Sequence, residues 1–346
     1  QCMQEDFLGL MRQLGPDLAA EMARRALVLE RIAALSPVGR RQLAARLNLP
    51  EREIRSVATF LKEEGFIHLD AAGMTLTPKA ESILPSAREF SRAMRGLTAL
   101  ETQLASALHI NRVCVAAGDF DQDARVLQDV GRIAAQRVRS LLQSGSTLAV
   151  TGGATMAQVA HFMSSPTPMN VMVVPARGGM GRAVETQANT LAAEIARKIG
   201  GHHRLMHLPD HMDAAAMQEM CKLPEIKEAL ELLQRADVLL HGIGRADDMA
   251  RNRQMSMPQL RQLLDKGAVA EAFGYYFDAA GECLYSASSV GVDLAHLSPT
   301  CQMVAVAAGR RKAQAMLAVL KRYRHTMLVT DEGAAQEMLR LMNSSS

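Results

Sequence analysis

Three apolar runs of this sequence end in glycine-rich turns, and the residues in those turns have the composition of an anion site. Leu148-Ala149-Val150 runs into Thr151-Gly152-Gly153-Ala154-Thr155, ahead of a helical stretch from Met156 to Met163. Glycine lets the backbone approach a bound group, hydroxyls donate to it, and a helix N-terminus adds positive potential, so this turn suits a phosphate. It is not a Walker A loop, because no Gly-Lys-Ser/Thr follows, nor a Gly-x-Gly-x-x-Gly dinucleotide turn. Val171 to Val174 ends in Pro175-Ala176-Arg177-Gly178-Gly179, with Gln187 and Asn189 near the start of the next helix. Val238-Leu239-Leu240 ends in His241-Gly242-Ile243-Gly244. Gly309-Arg310-Arg311-Lys312 opens a helix straight after Val304-Ala305-Val306-Ala307. Cations in that position oppose the helix dipole unless an anion sits between them. Arg251 and Arg253 lie in a polar loop, and Glu271, an acceptor-only carboxylate suited to sugar hydroxyls, precedes the run around Phe273. A blander reading stands beside each: a Gly-Gly turn as plain topology, basic residues fanning into solvent, and Glu271 as a surface acid.

Such turns need strands and helices to hold them. Runs at Arg112–Ala116, Thr147–Val150, Asn170–Val174, Arg204–Leu208, Val238–His241, Ala272–Phe277, Met303–Ala307 and Thr326–Val329 read as buried strands, most followed by a helical stretch. The expected fold class is α/β, a Rossmann-like, mostly parallel sheet with helices on both faces and ligands at the carboxyl ends of its strands. Ahead of it, helical periods over Ala23–Leu35, Arg40–Leu47 and Glu51–Glu64 are followed by strand, turn and strand between Phe66 and Thr77, the plan of a winged helix-turn-helix. Ile54, Val57, Ala58 and Leu61 share one side of the third helix and leave Arg52, Arg55, Ser56 and Thr59 outward. With Arg40 and Arg41 these are the candidate DNA-binding residues, since a helix fits the major groove while its neighbours touch phosphates. From Gly39 to Lys62, Arg40, Arg41, Arg46, Arg52, Arg55 and Lys62 face only Glu51 and Glu53, a local balance of +4 in a chain whose total is +3. A solvated face with glutamate pairs is the alternative. Lys79 to Leu108 reads as a linker helix that either pairs with its copy or packs on the following domain. The expected division is a DNA-binding domain over 1–90, including the onset of the linker helix, and an effector-binding domain over 91–346.

At 346 residues the chain is long enough for two cores without disulfide staples. Lys+Arg 39 against Asp+Glu 36 leaves any nucleic-acid surface to local clustering. Five scattered cysteines with no Cys-x-x-Cys spacing read as reduced core thiols, and the histidines, His202, His203 and His207 included, lack metal-site spacing. No apolar run approaches the roughly 20 residues of a bilayer span. The expectation is a cytoplasmic protein with no membrane association, metal or cofactor.

In order, the winged helix, the linker helix, Thr-Gly-Gly-Ala-Thr, Pro-Ala-Arg-Gly-Gly, Gln-Ala-Asn-Thr, His-Gly-Ile-Gly, Glu-Ala-Phe-Gly-Tyr-Tyr-Phe and Gly-Arg-Arg-Lys resemble the SorC family of sugar-responsive transcriptional regulators over nearly the whole chain. The resemblance implies a repressor of lower glycolytic genes that binds double-stranded operator DNA, takes fructose 1,6-bisphosphate or a related sugar phosphate as inducer, and assembles as a dimer to tetramer. It also implies an effector domain similar to glucosamine-6-phosphate deaminase and ribose-5-phosphate isomerase but without catalysis. By the same resemblance Gly152, Gly153 and Thr155, with Lys312, hold one phosphate; Arg177, Gln187 and Arg251 meet the sugar and the other phosphate; and Glu271 takes hydroxyls. Arg253 stays open as an alternative to Arg251, and Arg311 as an alternative to Lys312. The competing class is a sugar-phosphate isomerase or deaminase fused to a winged helix, which needs a general base such as Asp247, Asp248 or Glu271. The deaminase-like Asp-Gly-His after the Gly-Ile-Gly turn is absent, because Arg245-Ala246-Asp247-Asp248 follows instead.

Overall fold

The computed structural model describes residues 10–11, 13–47, 49–178, 183–208, 214–253, 255–286 and 290–344, so Asn48 of an expected turn and Gly179 of the expected anion turn lie outside the described residues. The chain divides into two units, one reaching to Ala99 and the other starting at Leu100.

The first unit runs α1 (Pro16–Leu35), α2 (Arg40–Leu47), α3 (Glu51–Glu63), β1 (Ile67–Asp70), β2 (Gly73–Leu76) and α4 (Pro78–Met94). Leu43 and Ala44 of α2 and Ile54, Val57, Ala58 and Leu61 of α3 pack with Val28, Leu29 and Ile32 of α1 into one buried cluster, the faces expected from helical spacing. Arg24 pairs with Glu53 at 3.4 Å and Arg25 lies 3.6 Å over the Phe60 ring, which fixes α1 against α3. Gly65, at φ +73, ends α3, and Thr77 caps α4 while its hydroxyl donates to the Gly65 carbonyl at 2.8 Å. The antiparallel β1–β2 hairpin is the wing. The expected single linker helix is two helices: α4 stops at Met94, Gly96 takes φ +73, and α5 (Leu97–Leu108) begins anew. Glycine alone enters that left-handed conformation at little cost, so it breaks the period that the apolar spacing suggests.

The second unit continues through β3 (Arg112–Ala116), α6 (Val126–Leu141), β4 (Thr147–Val150), α7 (Ala154–Phe162), β5 (Met172–Pro175), α8 (Ala188–Ile199), β6 (His202–His203), α9 (Ala214–Met220), α10 (Pro224–Gln234), β7 (Val238–Gly242), β8 (Gly244–Arg245), α11 (Ala246–Asn252), α12 (Met257–Asp265), β9 (Ala268–Ala272), β10 (Tyr275–Asp278), β11 (Cys283–Ser286), β12 (Gln302–Val306), α13 (Ala313–Arg322), β13 (Met327–Asp331) and α14 (Glu332–Ser344). Seven strands form one parallel sheet in the order β3-β13-β12-β7-β4-β5-β6. Its strands are near-continuous apolar runs because both faces are covered. A second, antiparallel sheet has the order β11-β10-β9-β8.

Two expected strands are corrected. Residues 204–208 are not a strand. Pairing with β5 stops at His202–His203, and beyond it Asn189 binds the Met206 backbone in both directions at 2.9 Å, taking the place of a strand partner. The run Ala272–Phe277 is not one buried strand but the turn of the β9–β10 hairpin, with Phe273 at φ +57 and Gly274 at φ +90, the pair of positive angles that a tight two-residue loop requires.

Gly73 opens β2 at φ +131, and a Cβ there would stand 2.9 Å from the Val38 backbone, which bridges to Met74. Gly73→Ala is expected to destabilise the first unit by about 1–3 kcal/mol. The readout is a lower urea midpoint together with faster amide exchange at Val38 and Met74.

Candidate effector and DNA-binding sites

β4, β5 and β6 run to one side of the parallel sheet and β7, β12 and β13 to the other, so the order reverses between β4 and β7. Open α/β sheets bind ligands in the crevice outside the carboxyl ends of the strands at such a reversal. Gly152 and Gly153 follow β4, Arg177 follows β5, Gly242 ends β7, and Gly309 to Lys312 follow β12. The turns therefore sit on four adjacent strands, and at about 4.8 Å per strand the outer two are roughly 14 Å apart.

Backbone packing accounts for the glycine pair. A Cβ on Gly152 would meet the Thr186 carbonyl oxygen at 2.6 Å, and the Gly153 N–H donates to that same oxygen at 2.8 Å. This brings Gln187, at the N-terminus of α8, beside the β4 turn, and it uses the Gly153 amide within the protein. Gly153 takes φ +117 and no side chain caps α7, which leaves the first amides of that helix open at the carboxyl end of β4. The half-buried Thr155 hydroxyl in that first turn has no hydrogen-bond partner among the described residues.

On the other side, Lys312 belongs to the short turn of Arg310–Lys312 that opens α13. A buried carboxylate builds that turn: Asp331 accepts from the Gly309 N–H at 2.9 Å and the Phe120 N–H at 2.8 Å, while Asp121 accepts from the Arg311 N–H at 2.9 Å. Burial raises the Asp331 pKa and lowers that of Lys312, with Asp248, Asp121 and Asp331 pulling the ammonium back towards its charged form. The Lys312 side chain makes no hydrogen bond or ion pair among the described residues. Arg311 is exposed.

Arg177 and Glu271 are both buried, 6% and 4% exposed, and their charged groups approach to 4.0 Å. Glu271 also accepts from Arg253 at 2.7 Å and from the Gly274 N–H at 2.6 Å. A Cβ on Gly274 would fall on the Arg177 guanidinium, so glycine is required there twice, by φ and by space. The Tyr276 ring lies 5.9 Å from the Arg253 guanidinium, its hydroxyl buried without a hydrogen bond among the described residues and its pKa pushed up to about 12, chiefly by burial. Arg251 is not brought to this cluster. It lies exposed on α11, 3.7 Å from Asp247 and 4.0 Å from Asp248. The choice the sequence leaves open is thus Arg253 for contact with Glu271.

In the first unit, Arg41, Arg52, Arg55, Ser56 and Thr59 are exposed and Arg40 half-buried. Glu51, at the start of α3, lies 3.4 Å from both Arg41 and Arg55 and holds them loosely on one face. Exposed pairs of this kind contribute about 1 kcal/mol or less, so a phosphate displaces them readily.

Residues 92–340 match the Sugar-bind family of sugar-binding domains, and residues 22–90 match the CggR N-terminal DNA binding domain. The chain is 40% identical over 339 residues to the Central glycolytic genes regulator of Priestia megaterium, across 97% of this chain and 99% of that protein. It is 38% identical over 331 residues to that of Bacillus subtilis, across 95% and 97%. A solved SorC family transcriptional regulator from Enterococcus faecalis aligns at 39% identity with a TM-score of 0.65, over 69% of this chain and 99% of that one. The chain belongs to the SorC family of transcriptional regulators. The full-length sorbitol operon regulator SorC from Klebsiella pneumoniae, 18% identical, shares the fold over 92% of this chain and 98% of its own with a TM-score of 0.65.

As a SorC-family regulator the chain couples a DNA-binding domain to a sugar-binding domain and is not an enzyme. Of the carboxylates that an isomerase could use as base, Asp247 accepts from Arg245 at 2.9 Å, Glu271 is held by Arg253 and Gly274, and Asp248 lies 3.8 Å from Arg245 and 4.0 Å from Arg251. Among the described residues no helix is long and apolar enough to cross a membrane. Sequence reasoning passed over Asp331, Gly274, Tyr276 and His241 as site-builders. Gly274 carried a signal only as a glycine inside an apolar run, which marks a turn or a close backbone approach; Asp331 carried none beyond being an acid at the end of an apolar run.

Glu271→Ala leaves two buried guanidiniums without their shared carboxylate. It is expected to lower the unfolding free energy by about 3–5 kcal/mol in urea titrations at fixed salt, and Glu271→Gln, which keeps an acceptor, by less.

Proposed function

We propose that the second unit binds a sugar carrying two phosphates across the β4/β7 crevice, that fructose 1,6-bisphosphate is the inducer, and that its binding releases the first unit from an operator of glycolytic genes, making the chain a cytoplasmic repressor. The observation that carries this reading is Lys312, an ammonium withdrawn from water, placed at a helix N-terminus and unpaired among the described residues. Such a cation is costly without an anion, and a phosphate also suits the open α7 amides and the Thr155 hydroxyl one strand beyond β7. Arg177 supplies a second cationic end beyond β4. Two phosphates bring about −3 to −4 of charge near neutral pH, which answers both ends, whereas one phosphate answers one. Gln187, beside the β4 turn, and the Glu271 cluster supply groups for hydroxyls between them. Relatives named Central glycolytic genes regulator support the gene target. Effector and operator affinity can be linked only through two arrangements of the assembly that bind each differently, so the reading includes a dimer or tetramer whose contacts between copies change on binding.

Fluorescence anisotropy of labelled operator tests this. Fructose 1,6-bisphosphate is expected to weaken the complex, and Lys312→Met to demand roughly 10–100-fold more of it, the equivalent of one lost charge-assisted hydrogen bond. Arg251→Ala is expected to respond like the unmodified chain. An undiminished response in Lys312→Met contradicts the reading. Without effector, Arg55→Ala is expected to weaken operator binding and to reduce the slope of log K against log salt by about one.

A further inference from the structure

His241, the penultimate residue of β7, is fully buried, and its Nε2 lies 2.8 Å from Nε2 of His325, which is buried in the segment ahead of β13. Each ring turns its Nδ1 to a backbone carbonyl, His325 to that of Tyr323 at 2.7 Å and His241 to that of Gly242 at 3.1 Å. A carbonyl oxygen only accepts, so each of these contacts needs a proton on the ring nitrogen, and two ring nitrogens at 2.8 Å need a proton between them. Three contacts require three protons, and two neutral imidazoles carry two. In the neutral pair the two short contacts keep the protons, and the longest, His241 Nδ1 against the Gly242 oxygen, is left with lone pair facing lone pair. One added proton completes all three contacts at the cost of a buried charge.

Gly242 stands at the floor of the crevice. Its N–H donates to the Thr151 hydroxyl at 3.2 Å, at the head of the Gly152-Gly153 turn, and its carbonyl is the oxygen that His241 Nδ1 meets. Phe273 packs on the His241 ring with centroids 4.3 Å apart, and the next residue in its turn is Gly274, bonded to Glu271. We propose that His241 and His325 form a buried site for one shared proton whose occupancy sets the orientation of the Gly242–Ile243 peptide, and so couples anion binding in the crevice to proton uptake. The identity of that anion rests on the reading of the crevice given above; the proton site itself does not.

Burial lowers both imidazoles, His325 to about 4 and His241 well below its usual value, with the neighbouring ring adding to the second. Of the groups on the elements around them, β12 and β4 offer no titratable side chain opposite His241, Ala305 being its partner in register. The end of α13 and the segment after it carry Arg322, Tyr323 and Arg324, and the β9–β10 hairpin carries Glu271, Tyr275 and Tyr276. The neighbouring charge that lowers His241 is that of His325, while the Gly242 carbonyl pulls the other way. The pair is therefore neutral at pH 7 and takes up its proton on acidification. A bound anion favours the cationic pair, so by linkage the anion tightens the proton and the proton tightens the anion.

The full chain labelled with nitrogen-15 histidine, its signals assigned through His241→Asn and His325→Phe, is to be followed by long-range proton–nitrogen correlation from about pH 7.5 to about pH 3, with and without fructose 1,6-bisphosphate. At the upper pH the proton is expected on Nε2 of His241 and on Nδ1 of His325. Both rings then titrate with a single midpoint, which the sugar bisphosphate raises by about half a unit, roughly a threefold gain in proton affinity. His325→Phe, which keeps a planar ring in the slot, removes that ligand-linked shift from His241. Like tautomers in the two rings, separate midpoints, or unfolding before either ring titrates overturns the one-proton site. A joint midpoint unmoved by bound ligand overturns the coupling. Absence of ligand binding overturns the crevice reading instead, and the joint titration of the free chain still decides the proton site.

Discussion

The buried carboxylate of Glu271 is the contact on which the architecture of the second unit turns. It takes Arg253 from the end of α11, faces Arg177 from the end of β5, and fixes the Gly274 amide in the β9–β10 hairpin. Three pieces of chain are thereby tied to one carboxylate oxygen, Oε1, and the small antiparallel sheet is locked to the parallel one. Ion pairs in such places cost nearly as much desolvation as they return, so their value lies less in net stability than in geometry. The same device recurs at the other flank of the crevice, where Asp331 gives one oxygen to the Gly309 amide of the turn carrying Lys312 and the other to the Phe120 amide after β3.

The proposed anion site is assembled from parts that are individually unfavourable. Lys312 is desolvated at the positive end of a helix, the amides at the start of α7 have no cap, and the hairpin holds Phe273 at φ +57, an angle that a bulky side chain adopts only when packing compels it. Under the proposed reading an anionic occupant meets the first two costs, while the Phe273 ring packs on His241. Such local violations of folding rules, at the ends of β12 and β4 and in the β9–β10 hairpin, are the kind that accompany a binding site.

Much of this was legible in the residues. The helical spacing of Ile54, Val57, Ala58 and Leu61 assigned the inner face of α3 and so the outer one, and the apolar runs ending in glycine located the strand ends. What was not legible depended on contacts distant in sequence. Nothing in the period of Lys79–Leu108 reveals that Gly96 breaks it, and the Asn189 amide that ends β6 lies on a different element from the strand it interrupts. The glycines of the β4 turn were visible, but their reason was not: Gly152 is small because the Thr186 carbonyl lies against it. Arg251 and Arg253 are two residues apart in a segment without a motif, and only the helical turn of α11 separates the exposed one from the one that meets Glu271.

A crystal structure of the full chain with fructose 1,6-bisphosphate tests the central claim most directly. The account predicts one phosphate within about 3 Å of Lys312 Nζ and the Thr155 hydroxyl, and the other on the Arg177 side of the β4/β7 crevice. A ligand bound elsewhere, or in the crevice with Lys312 still unpaired, contradicts it.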